Sequence, residues 1–153
     1  MLAARRAYRL GSPVNPKPQG CPVPHITIEY SANLETDVAP AVLVDALHAA
    51  ALATGVFPLG GLRTRAERRD VYRIADGDAG NAFVAVVARI GAGRDAATRL
   101  RVAEALMRVL EDVTAQAFAR RGLAMTVDVE EIDAGASLKT NNLHERMKAK
   151  GKA

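Results

Sequence analysis

The chain has 153 residues, with 21 Lys+Arg against 17 Asp+Glu for a formal net charge of +4, 49% hydrophobic residues and a single cysteine. All of the excess charge lies in residues 1–23, which hold Arg5, Arg6, Arg9 and Lys17 and no acid, so the balanced remainder gives no charge argument for a nucleic-acid or membrane partner. Cys21 lies there too, which excludes disulfides, thiolate catalysis and Cys-ligated metal sites from the rest, and no run approaches the ~20 apolar residues of a membrane helix.

Residues 1–23 also carry four of the seven prolines and lack the apolar stretch of a secretory signal. No packed structure is expected there. The arginines suit an organellar transit peptide, but the favoured reading is a translation start at Val23 with the initiator trimmed before Pro24. The segment is therefore expected to be a leader that is removed or a mis-assigned start, and the domain proper to span 24–144. Pro24 itself has two readings: a proline at the first position of a strand, where its missing N–H costs little, or a free N-terminal amine.

Ile26, Ile28 and Tyr30 alternate with His25, Thr27 and Glu29 as in a half-buried strand. Asp37 offers a helix cap, Pro40 fits the first turn, and Leu43, Leu47, Ala50 and Ala51 keep helical spacing as far as Gly55. The Arg-rich segment from Gly61 to Ile74, with Val71, Tyr72 and Ile74 late in it, reads as a second strand at an edge or an oligomer contact. Asp76 to Gly80 is a turn.

The same order then recurs. Ala82 to Ile90 is a continuous apolar run, expected to be covered on both faces. Asp95 can cap a helix whose Leu100, Ala103, Leu106, Met107, Leu110, Val113, Ala117 and Phe118 face inward, and Arg120, Arg121 and Gly122 suit its C-terminal end. Leu123, Met125, Val127 and Val129 alternate with Ala124, Thr126, Asp128 and Glu130 in a last strand. The fold class expected is α+β: duplicated βαβ units forming a four-stranded mixed sheet with two helices on one face, the other face calling for cover by neighbouring subunits. Residues 145–153, with Lys148, Lys150 and Lys152, read as a basic flexible tail.

Several motifs resemble one family. Pro24-His25 opening a strand, the run from Ala53 to Arg65 with Gly60-Gly61, the Ile90-Gly91-Ala92-Gly93-Arg94 junction and Asn141-Asn142-Leu143-His144 are similar to 5-carboxymethyl-2-hydroxymuconate delta-isomerases of the tautomerase superfamily, over about residues 23 to 144. The resemblance implies a homotrimer that isomerises a small unsaturated dicarboxylate or tricarboxylate without cofactor, in the breakdown of homoprotocatechuate and 4-hydroxyphenylacetate, and a reducing cytoplasm is the default location. It also implies that Pro24, as the first residue of the mature chain, is the general base.

A free α-amine titrates near about 7.7–8.0, and burial or nearby cations lower that value, whereas a proline nitrogen inside a peptide bond has no available lone pair. Substrate carboxylates call for arginine, whose planar fork binds them at two points. Arg63 and Arg94 are the candidates, Arg65 is evenly balanced, and Arg68 and Arg69 read as solvated or salt-bridged charges. His25 and Glu29 share a strand face and could flank the amine, though both read more simply as ordinary strand residues. His25, His48 and His144 show no metal-like spacing, and the glycines before Arg94 lack the rest of a phosphate loop. Two other functions fit the same residues: a phenylpyruvate-type tautomerase acting on another keto-enol acid, and a non-catalytic trimeric interaction module in which Pro24 is blocked.

Overall fold

Strand β1 (His25–Ser31) buries Ile26, Ile28 and Tyr30 and leaves His25, Thr27 and Glu29 half-buried on its other side. In the computed structural model, which describes residues 23–152, it is followed by α1 (Pro40–Ala53), β2 (Arg63–Arg69), β3 (Ala82–Gly91), α2 (Ala96–Arg120), β4 (Leu123–Ile132) and α3 (Leu143–Ala149). What was expected of residues 1–22 lies outside the described residues. The four-stranded sheet has the order β2-β1-β3-β4. β1 pairs with β2 and β3 with β4 in parallel, while β1 and β3 run antiparallel. Two βαβ units thus meet through their first strands, and this is the mixed sheet anticipated from the repeated pattern.

Both long helices cover one face. Leu43, Leu47 and Ala51 of α1 and Val102, Leu106, Leu110 and Ala117 of α2 form one buried cluster with Ile26, Ile28, Val84, Val86 and Ala88. Burial of this kind, at roughly 25 cal/mol per Å² of apolar surface, is the main stabilising term. β3 is fully buried on this side only. Phe83, Ala85 and Val87 are half-buried and Arg89 is exposed, so cover on both faces does not hold within one chain.

Four local expectations are corrected. Asp37 does not cap α1: a 3-10 turn (Ala32–Thr36) intervenes, Ala39 takes the cap position without a side-chain bond, and Asp37 instead pairs with Arg120 and Arg121 at 2.7 Å each. The inward stripe of α2 is Val102, Leu106, Leu110, Thr114 and Ala117, while Leu100 and Phe118 are 59% and 60% exposed. Thr114 fits because its hydroxyl donates to the Leu110 carbonyl at 2.7 Å. Gly122 is not a left-handed cap: Arg121, at φ −146°, leads directly from helix to strand. β2 stops at Arg69, leaving Tyr72 to meet Phe83 edge-on, with ring centroids 6.2 Å apart.

Asp95 does cap α2, accepting from Thr98 N at 2.7 Å. α3 is an element the sequence did not announce, running through the boundary expected at residue 144. Its Glu145 lies in the first turn and Arg146 and Lys148 in the last, complementing the helix dipole. Among the described residues no helix is long and apolar enough to cross a membrane.

Candidate active site

The N-terminal end of β1 is where the chemistry collects. The Pro24 carbonyl accepts from Arg63 N at 3.2 Å, extending the β1–β2 ladder by one bond and fixing the buried proline beside β2. The turn before β2 closes through Gly61 N donating to the Pro58 carbonyl at 2.9 Å. A Cβ on Gly61 would stand 3.1 Å from Pro58 Cγ and 3.4 Å from Pro24 Cδ, and one on Gly60 would stand 2.7 Å from the His144 ring. The paired glycines let Pro24 and the start of α3 approach the same backbone.

Two cavities adjoin the start of β1. One, of about 520 Å³, is lined by Pro24, Pro58, Gly61, Asn141 and His144 together with Val23, Lys139 and Thr140. The other, of about 510 Å³, shares Val23, Lys139 and Thr140 and is walled by His25, Arg63 and Arg89, with Ile132, Asp133 and the loop that follows. Val23 lines both.

The second cavity is cationic for a reason visible in the strand register. Arg63, His25, Arg89 and Glu130 are successive partners across the four strands, so their side chains form one row on the face away from the helices. Arg65, one pleat further along, brings Nη1 to 3.3 Å from His25 Nδ1. Burial, and then the guanidinium charges of Arg65, Arg63 and Arg89, hold the His25 pKa below its ordinary value.

The candidate arginines separate in this geometry. Arg63 lines the second cavity, donates to the Gly61 carbonyl at 3.0 Å, and has no carboxylate partner among the described residues. Arg65 is beside His25 but pairs with Glu67 at 3.5 Å and lines neither cavity. Arg94 follows Gly93, whose φ of +91° turns the chain sharply out of β3, and it too lines neither cavity of its own chain. Arg68 is held by Glu35 and Asp70, and Arg69 by Glu29 and Glu67, all at 2.9 Å or less. Tyr30 donates to the same Glu35 at 2.7 Å, and burial, followed by that hydrogen bond, pushes its pKa up to about 12. His48 is on the helix side, 2.9 Å from the Thr64 hydroxyl. Among the described residues, no group of three or more His, Cys, Asp or Glu could hold a metal ion.

Arg89, the one charge within an apolar run, is not among the candidates drawn from the sequence, and His144 enters there only within the Asn141-Asn142-Leu143-His144 motif. The signals available were the cross-strand partner of His25 for the first and the Gly60-Gly61 pair for the second.

Residues 24–147 match the sequence profile of the 5-carboxymethyl-2-hydroxymuconate isomerase family. An Escherichia coli 5-carboxymethyl-2-hydroxymuconate Delta-isomerase is 32% identical over 122 residues, which are 80% of this chain and 97% of that one. The crystal structure of a 5-carboxymethyl-2-hydroxymuconate isomerase from Deinococcus radiodurans R1 superposes with a TM-score of 0.74 at 38% identity, covering 82% of this chain and 94% of the other. A second crystal structure, of a 5-carboxymethyl-2-hydroxymuconate delta-isomerase, gives a TM-score of 0.76 at 28% identity, with 82% and 93% covered.

Proposed function

The chain belongs to the 5-carboxymethyl-2-hydroxymuconate isomerase family and is an isomerase, and from that premise we propose that it converts 5-carboxymethyl-2-hydroxymuconate into its 2-oxo-enedioate tautomer. The competent form begins at Pro24, whose free imino nitrogen is the general base, and the reaction serves homoprotocatechuate and 4-hydroxyphenylacetate breakdown. The nitrogen takes the 2-hydroxyl proton, the O–H electron pair becomes the carbonyl π bond, and the diene pairs shift one position along. The terminal pair then accepts the proton at C5, so protons alone are transferred and the base is regenerated.

One observation carries this reading. Val23 lines both cavities, so a chain starting at Pro24 would place its amine where a pocket of about 520 Å³ and a cationic pocket of about 510 Å³ come together. Burial and the neighbouring guanidinium groups favour the neutral amine there, which is the form that can accept a proton at neutral pH. Arg63 holds a carboxylate at this junction and polarises the 2-oxo group as negative charge develops on it.

The proposed assembly is a homotrimer. Phe83, Ala85 and Val87 form a half-buried apolar strip on the helix-free sheet face that a second copy would cover. Arg94 does not reach the cleft of its own chain, and in this assembly it serves the cleft of a neighbour. Arg65 remains a secondary carboxylate contact.

Turnover tests the function. Protein beginning at Pro24 should ketonise 5-carboxymethyl-2-hydroxymuconate with kcat/KM far above its value on phenylpyruvate enol. The opposite preference would favour a phenylpyruvate-type tautomerase, and inactivity on both would favour an interaction module.

A further inference from the structure

Arg89 belongs to the cationic cavity by position, yet the isomerisation as set out above uses only Pro24 and the other arginines. It lies directly across β1 from Arg63, with His25 between them, and adjacent strands are about 4.8 Å apart, so the two guanidinium stems are roughly 10 Å apart on one sheet face. The only acid within reach of Arg89 among the described residues is Glu130, at 3.7 Å, and both side chains are more than half exposed. Such a pair is weak and readily exchanged for a ligand carboxylate. His25 has no carboxylate partner among the described residues.

We infer that Arg89 and His25 form a carboxylate subsite distinct from that of Arg63, taking the carboxymethyl arm that distinguishes a branched tricarboxylate from an unbranched dicarboxylate. The identity of the ligand rests on the proposed isomerase reading; the existence of the subsite rests on the row Arg63–His25–Arg89 and the cavity it walls. Three carboxylates call for a third cationic point beside Arg63 and Arg94, and Arg65, paired with Glu67, lines neither cavity. The arm is carried on C5, away from the 2-oxo end, so the third point should lie along the cleft from Arg63, which is where the register puts Arg89. The charged groups around His25 are Arg63, Arg65 and Glu67 of β2, Arg89 of β3, Glu130 of β4, Glu29 of its own strand, and Asp133 and Lys139 of the loop after β4. Cations outweigh acids in the cavity itself, and an entering carboxylate would favour protonation of His25.

The test is binding, in the full chain, of propane-1,2,3-tricarboxylate against pentanedioate, followed by the imidazole C–H signals of His25 in NMR. The tricarboxylate should shift those signals and bind about tenfold more tightly than the dicarboxylate, the size of one additional charge-assisted contact. Arg89→Met should abolish the difference while Arg89→Lys retains part of it. Both changes are at an exposed side chain, and coincident thermal melts would exclude unfolding. Equal affinities for the two acids, or an Arg89→Met protein that still discriminates between them, would overturn the inference. Absence of turnover by protein beginning at Pro24 would instead strike at the isomerase reading and leave this binding result standing.

Discussion

Arg63 is the residue on which the proposed chemistry leans most within one chain: it lines the cationic cavity, and among the described residues its side chain is anchored only by the Gly61 carbonyl. Replacing it with alanine removes a charge-assisted contact worth about 1.5–3 kcal/mol, so kcat/KM of protein starting at Pro24 should fall roughly 10- to 150-fold. Unchanged kcat/KM would remove Arg63 from the site. His25 makes a separate prediction about stability. Its folded pKa lies below the ordinary 6.5, so above that pH it is neutral in both states and contributes nothing. As pH falls from 6.5 towards the folded value, the unfolded chain binds a proton that the folded chain does not, and stability drops. The midpoint of thermal unfolding should therefore fall between pH 7.5 and 5.5 by more in the wild type than in His25→Gln. Pro24, Arg63 and Arg65 could be singled out from sequence because the motifs carrying them are local. Arg89 could not, because its partnership with His25 exists only through an antiparallel register between strands far apart in the chain.

At the scale of elements, Asp37 ties the turn after β1 to the end of α2. Its side chain is 6% exposed and accepts from Arg120 and Arg121, each at 2.7 Å. Asp37→Asn should destabilise the fold by about 1–3 kcal/mol in urea unfolding, because both guanidinium groups lose a charged acceptor that is largely out of water. A loss below about 0.5 kcal/mol would show that solvent substitutes for it. Gly60 makes the complementary case, since a methyl there must displace the exposed His144 ring. Gly60→Ala should cost less than about 1 kcal/mol of stability yet lower kcat/KM about tenfold, by moving α3 off the Pro24 cavity. Strands and long helices were legible in the sequence because period-two and three-four spacing are strong signals. Asp95 was legible as a cap because its bond to Thr98 is local. Asp37 misled because a 3-10 turn satisfies the backbone just where a cap would have been needed, and Leu100 and Phe118 misled because they lie about five turns apart on one flank of α2, roughly 100° round from its buried stripe. α3 buries no residue, and its His144 ring lies close against Gly60.

At the scale of the whole molecule, the repeated βαβ order determines a sheet with one covered and one open face, and the proposed site sits at an end of that sheet. If Arg94 acts in a neighbour's cleft, Arg94→Ala subunits mixed with Pro24→Ala subunits should regain activity that neither has alone; no recovery would place Arg94 outside the shared site. The central claim concerns the bond before Pro24, because the same nitrogen is an inert amide in one form and a base in the other. The most direct measurement compares ketonisation of 5-carboxymethyl-2-hydroxymuconate by the chain beginning at Pro24 and by the chain retaining residues 1–23, with the N-terminus of each verified by intact mass. The account predicts turnover by the first and loss of at least about a thousandfold in the second, the order expected when a general base is removed. Equal turnover by both would contradict it.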